Sequence, residues 1–266
     1  MNAPNENITA APTIQLKGSV RHQVSAAEWQ ARVDLAACYR LVAEFGMTEM
    51  VANHISARVP DTDNEFLLNP YGMLYEEMTA SSMIKVDISG KILLNATDYG
   101  INAAGYVIHS AVHKARHDAN CVIHTHTLAG MAVSAMKCGV LPIAQSSMRF
   151  IDIGYHDFEG VALRMDEQER LVAALGDREV LVLRNHGLLA TGPSIAQCFN
   201  NIYRLERTCQ IQVLAMSCNT ELLVPSQDAI RYTNDVLKPT GVRRRGELEW
   251  PALLRKLDRI DPSYRE

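Results

Sequence analysis

Nine histidines are spread over 266 residues, and three of them stand where they could hold a metal ion. His124 and His126 are separated by one residue in CVIHTHT, residues 121–127. If this segment is a strand, alternate side chains share a face and the two imidazoles project together. Neutral imidazole is the commonest protein ligand for zinc and similar ions. Val122 shares that face and Cys121 and Ile123 take the other, so the strand reads as buried, and buried imidazoles need partners. The alternative is a surface pair on an edge strand. His186 is the third candidate. It follows the apolar run Val180–Leu183 and precedes Gly187, at a strand end where α/β folds often present functional side chains; its alternative role is to cap the strand's backbone groups. His109, His113 and His117 recur at every fourth position. On a helical wheel they lie opposite Val107, Ile108, Ala111, Val112 and Ala115, which predicts a solvated face or one that meets another subunit. His22, His54 and His156 stand alone and carry no signal.

The elements that must position these residues are legible in outline. Ser25-Ala-Ala-Glu28 fits a capping box, with Ser25 covering a free N–H and Glu28 reaching back. Trp29, Val33, Ala36, Ala37, Leu41 and Phe45 then recur at helical spacing, and Gly46 sits where a helix-ending glycine belongs. Strand-like pieces follow at 54–59, 65–70, 83–88 and 91–95, with Ser89-Gly90 as a hairpin turn between the last two. A second helix is predicted over 104–118, a strand over 121–127 and a helix over 128–136. The continuous apolar run of 179–185 predicts a central strand. Ser194 and Gln197 form another capping box, opening a long helix through about residue 217. Interspersed helices and strands point to one layered α/β domain, residues 25–220. Residues 1–24 read as a mobile arm, and 221–266 as a helical extension packed on the body or on a neighbour.

Composition sets the outer limits. Hydrophobic residues make up 47% and charged residues 21%, as in a globular chain rather than a disordered one. A net charge of −4 argues against a nucleic-acid binder that works by bulk charge. No apolar run approaches the roughly 18–20 residues of a membrane span, and no signal peptide is visible. The six cysteines show no C-x-x-C spacing and read as reduced, buried thiols. The expectation is a cytoplasmic protein. Arg243-Arg244-Arg245 reads as a solvated face.

The stretch NAAGYVIHSAVHKARHDANCVIHTHTLAGMAVSAMKCGVLPI, together with Asn53-His-Ile-Ser56-Ala-Arg58, Asn69-Pro-Tyr-Gly72 and Leu183-Arg-Asn-His186-Gly187-Leu, resembles the class II aldolase/adducin family. The likeness runs from about residue 25 to 220 and is closest to the adducin head, with similar wording around AMKCG, YHDFEG and LRNHGLL. It implies a three-layer α/β/α sandwich around a mixed, largely antiparallel sheet. It implies one divalent metal on His124, His126 and His186, with zinc first and manganese or iron as alternatives, and a ring-shaped homotetramer. The metal acts as a Lewis acid on a substrate carbonyl. The resemblance also brings Asn53, Ser56 and Asn102 forward as substrate-binding residues.

The departures narrow the chemistry. Aligned on His109, the segment that carries serines and a catalytic Glu in sugar-phosphate aldolases here reads Asn102-Ala103-Ala104-Gly105. Gly105 cannot move a proton, and the phosphate-cradling hydroxyls are missing. Tyr71, Tyr99, Tyr106, Tyr155, Glu76, Glu77, Asp157 and Glu159 are candidate substitutes, with Tyr106 and Tyr155 foremost, though each has a structural reading. The expected function is a metal-dependent lyase, aldolase-like or decarboxylating, on a small hydroxy or keto acid without phosphate. The alternatives are an adducin-head-like scaffold that binds a protein partner, and a three-histidine iron oxygenase.

Overall fold

The computed structural model describes residues 16–161, 164–239 and 245–266. One sheet of eight strands runs in the order β4-β3-β2-β1-β5-β8-β7-β6. Its strands are β1 (His54–Arg58), β2 (Glu65–Leu68), β3 (Ile84–Asp87), β4 (Ile92–Leu94), β5 (Cys121–Thr125), β6 (Gly154–His156), β7 (Val180–Leu183) and β8 (Gly187–Gly192). All neighbours are antiparallel except β6 and β7. The helices are α1 (Ala26–Glu44), α2 (Ala103–Ala115), α3 (Leu128–Ser134), α4 (Glu167–Leu175), α5 (Ile195–Ser217), α6 (Gln227–Leu237) and α7 (Glu249–Ile260). Among the described residues no helix is long and apolar enough to cross a membrane.

Strand alternation sorts the side chains into layers. Ile55, Ala57, Cys121, Ile123, Leu188 and Ala190 join the core beneath α1, α3 and α5. Val122, Leu181, Leu183 and Leu189 face the other way, onto Ile108 and Val112 of α2 and Leu171 and Leu175 of α4. His54, Ser56, His124 and His126 therefore belong to the α2 side.

Several expectations need correction. The strand at 179–185 lies next to the sheet edge. The strand that separates it from β5 is β8, whose Gly-Leu-Leu-Ala-Thr-Gly sequence gave no clear strand signal. Continuous apolarity in β7 reflects layers on both faces, not a central place. Ser25 does cap α1 by accepting from the Glu28 amide, but Glu28 does not close a box. Its carboxylate instead pairs with the fully buried Arg32 and with Lys85. A buried guanidinium attracts the carboxylate more strongly than one terminal N–H. Cys138 and Cys218 are exposed, and only Cys38, Cys121, Cys198 and Cys209 are buried.

The expected arm at 1–24 lies outside the described residues up to 15. Beyond that point Val20 is buried and the Lys17 amide bonds Ala96 O. Arg243 and Arg244 likewise lie outside the described residues, and Arg245 pairs with Glu179 rather than lining a solvated face. The C-terminal extension packs on the body. Trp250 Nε1 donates to Asp34 at 3.0 Å, and Arg40 meets Asp261 at 2.6 Å.

Candidate metal centre

β5 and the β7–β8 turn bring the three candidate ligands together. One ring nitrogen from each of His124, His126 and His186 lies within 4.8 Å of the other two. His124 and His126 project from the same side of the strand end, their Nε2 atoms 2.8 Å apart. His186 sits in a three-residue turn closed by the pairing of Leu183 with Gly187. Asn185 takes a left-handed φ of 55° there, which Asn tolerates better than most residues. A β-carbon at Gly187 would stand 2.4 Å from the Thr125 carbonyl, so glycine is what lets this turn approach β5.

Two of the rings are oriented by a second set of groups. His124 Nδ1–H donates to Leu188 O at 2.9 Å, and His126 Nδ1–H to Glu49 Oε2 at 2.6 Å. Each bond fixes the proton on Nδ1 and leaves the Nε2 lone pair free, as in many histidine metal sites. The arrangement fits a divalent ion: two facing Nε2 atoms with no proton between them repel unless a cation or proton joins them. Burial, then His186, His54 and His126, holds His124 well below the usual imidazole range. Burial, then His126 and His156, brings His186 down to about 4. Neutral rings are the form that ligates.

Glu49 gave no sequence signal, because it lies in a loop whose approach to β5 depends on tertiary structure. Asn53 takes a φ of 73°, and its Oδ1 accepts from the His126 amide at 3.3 Å, tying this loop to the site. Its Nδ2 is buried and unbonded.

The remaining candidates stand elsewhere. Ser56 is fully buried and its hydroxyl is shared between His109 and His113, so it is not available to a ligand. Asn102 caps α2, its Oδ1 accepting from Ala104 and Gly105. Tyr106 donates to Ile88 O at 2.8 Å. The Tyr155 hydroxyl accepts from Val140 N at 2.9 Å, and its ring lies 4.2 Å below the Arg184 guanidinium. Tyr106 spends its proton on Ile88 O, and Tyr155 packs against the core on the opposite face of the sheet from the triad. Glu76 and Glu77 are exposed, and Glu159 is engaged by Arg164 and Arg170.

The face of α2 expected to meet solvent or another subunit is instead buried for His109 and His113, which meet β1; only His117, past the helix end, is exposed. The apolar face of the helix is not its only packed face, because β1 offers polar Ser56 and His54 to receive imidazoles. His54, which stood alone in the sequence, pairs in register with His124 across β1 and β5, and their rings lie 5.2 Å apart. It occupies the space beside Gly105: a β-carbon there would lie 2.4 Å from His54 Cδ2. Its significance depends on strand pairing that sequence spacing could not supply.

Residues 33–213 match the family model for the class II aldolase and adducin N-terminal domain. An aldolase II superfamily protein from Pseudomonas syringae is 49% identical, superposes with a TM-score of 0.90, and covers 94% of this chain and 100% of its own. L-fuculose 1-phosphate aldolase from Glaciozyma antarctica PI12 is 26% identical with a TM-score of 0.81, over 91% of this chain and 94% of its own. Alpha-adducin of Mus musculus is 39% identical over 94% of this chain, which corresponds to 36% of the adducin. This chain is a member of the class II aldolase and adducin family.

Proposed function

We propose that the chain is a divalent-metal-dependent lyase acting on a small hydroxy or keto acid without phosphate. The observation that carries this reading is the set of three convergent imidazoles, two of them pinned through Nδ1 by Leu188 O and Glu49. A scaffold has no need of that second set of hydrogen bonds. When bound, a divalent ion supplies Lewis acidity toward a substrate carbonyl or carboxylate. His124, His126 and His186 hold it; an all-nitrogen set suits zinc, with manganese and iron as alternatives. Asn53 Nδ2 is a buried donor left over for a substrate oxygen. Gly105 offers no acid or base. Decarboxylation accommodates that gap, because carbon dioxide leaves without a base removing a C–H proton. The absent serines disfavour a phosphorylated substrate. We further assign the chain to the cytoplasm and to a homotetramer, in which a second copy would cover the exposed Met50 and Leu128 beside Glu49 and Thr127.

One observation favours a second reading, an adducin-like scaffold: the identity of 39% to alpha-adducin extends across nearly the whole chain. The test is a zinc- or manganese-loaded sample assayed for carbon dioxide release or carbon–carbon cleavage over a panel of short 2-keto and 2-hydroxy acids, with light scattering for the assembly. Turnover without phosphate in the substrate, from a tetramer, is the expected result. No turnover across the panel, with a metal-free protein, favours the scaffold. Iron with oxygen uptake favours an oxygenase.

A further inference from the structure

Beside the triad, four buried side chains are bonded in single file. His54 Nδ1 lies 2.6 Å from His109 Nε2, His109 Nδ1 lies 2.6 Å from Ser56 Oγ, and Ser56 Oγ lies 2.7 Å from His113 Nε2. Burial is the main reason all three imidazoles are less basic than usual, with His113 pushed down to about 3. A neutral imidazole has one N–H and one lone pair, and a serine hydroxyl has one proton. Fixing the proton at one end of such a file therefore fixes every other position.

The readable end is His113. Its Nε2 is taken by Ser56 and its Nδ1 is buried without a normal hydrogen bond, while the Ala119 backbone beside the ring favours a proton on it. A lone pair in that buried position would forgo this interaction, so Nδ1 carries the proton. Ser56 O–H then donates to His113 Nε2, His109 Nδ1–H to Ser56 Oγ, and His54 Nδ1–H to His109 Nε2. What remains is a bare lone pair on His54 Nε2. That nitrogen has no hydrogen-bond partner among the described residues. It faces Gly105, where a β-carbon would stand 2.8 Å away, and its ring packs against that of His124.

We propose that His54 is a specificity residue of this site: its Nε2 accepts a hydrogen bond from a hydroxyl of the bound molecule, selecting hydroxy acids or hydroxyketones over their deoxy counterparts, and His109, Ser56 and His113 position it by fixing its tautomer. This rests on the metal-centred reading above, since the triad is what brings the ligand beside His54. The absence of a side chain at Gly105 is part of the device, because any β-carbon would cover that edge of the ring.

Titration calorimetry of the zinc-loaded full chain with glycolate and acetate tests it. The preference for glycolate over acetate should fall about tenfold in His54→Ala, the worth of one hydrogen bond, while zinc stays at one per chain. Ser56→Ala, which breaks the file without touching the ligand, should lower the same preference in part. An unchanged preference in His54→Ala overturns the proposal. So does loss of zinc from that variant, which would make His54 a ligand of the metal. A neutron structure reads the file independently of any ligand and of folding in the variants. A deuteron on His54 Nδ1 with none on Nε2 is expected, and a deuteron on Nε2 overturns the assignment. If wild-type protein binds no zinc, the metal-centred reading fails, and the proposed hydroxyl selection at that site fails with it; the neutron result still decides the direction of the file.

Discussion

Two groups of three histidines sit on the same side of one sheet, and they are built to opposite ends. His124, His126 and His186 bring ring nitrogens together with no protein acceptor between them. His54, His109 and His113 are joined through Ser56 by hydrogen bonds that use both nitrogens of His109 and one each of His54 and His113. The first arrangement has unmet lone pairs and asks for a cation. The second is bonded internally and leaves only its two end nitrogens, His113 Nδ1 and His54 Nε2, without a full partner. Counting histidines does not distinguish them; counting the partners of each nitrogen does.

The largest expected break in this comparison comes from Gly105→Glu. The added side chain would begin 2.4 Å from the His54 ring, which the file holds in place. Overpacking of this kind costs about 3 kcal/mol at its upper usual range, read by urea unfolding. Removing the ring in the same chain, with His54→Ala, should return part of that loss. Restoring the carboxylate alone should therefore not bring aldol cleavage of fuculose 1-phosphate.

Glu49→Ala acts on the triad alone, removing the acceptor of His126 Nδ1–H. Loss of a partner to a ligating imidazole typically costs 10–100-fold in metal affinity, measurable by chelator competition, with the fold intact.

Acid acts on the file. His113 binds protons in the folded state only near pH 3, against an ordinary value of 6.5, so the unfolded chain takes up the proton first as pH falls. Stability is thus full above about pH 6.5 and declines on the way down. From pH 7 to pH 5, His113 alone should remove about 2 kcal/mol of unfolding free energy. A flat profile over that range would show that the ring is not sealed. The smallest effect belongs to Tyr106→Phe, which should lose about 1 kcal/mol with its bond to Ile88 O and leave metal content unchanged.

Legibility in the sequence followed range. The His-x-His pair and the Asn-His-Gly turn could be read because their geometry is local: strand alternation for one, a left-handed Asn and a close-packed Gly for the other. The cap at Ser25 and the Ser89-Gly90 turn were readable for the same reason. The file could not be read, since it depends on β1 lying beside β5 and α2 crossing above both. The helical wheel misplaced His109 and His113 because it scores apolarity and cannot anticipate a polar row on the facing strand. β8 escaped because a six-residue strand beginning and ending in Gly carries little strand signal.

The central claim is the triad's need for a cation, and elemental analysis of protein purified without chelator tests it most directly. Wild-type protein should carry one divalent ion per chain, and His126→Ala should lose it while remaining folded. A well-folded wild-type sample with no stoichiometric metal, or a His126→Ala variant that binds metal as wild type does, would contradict the account.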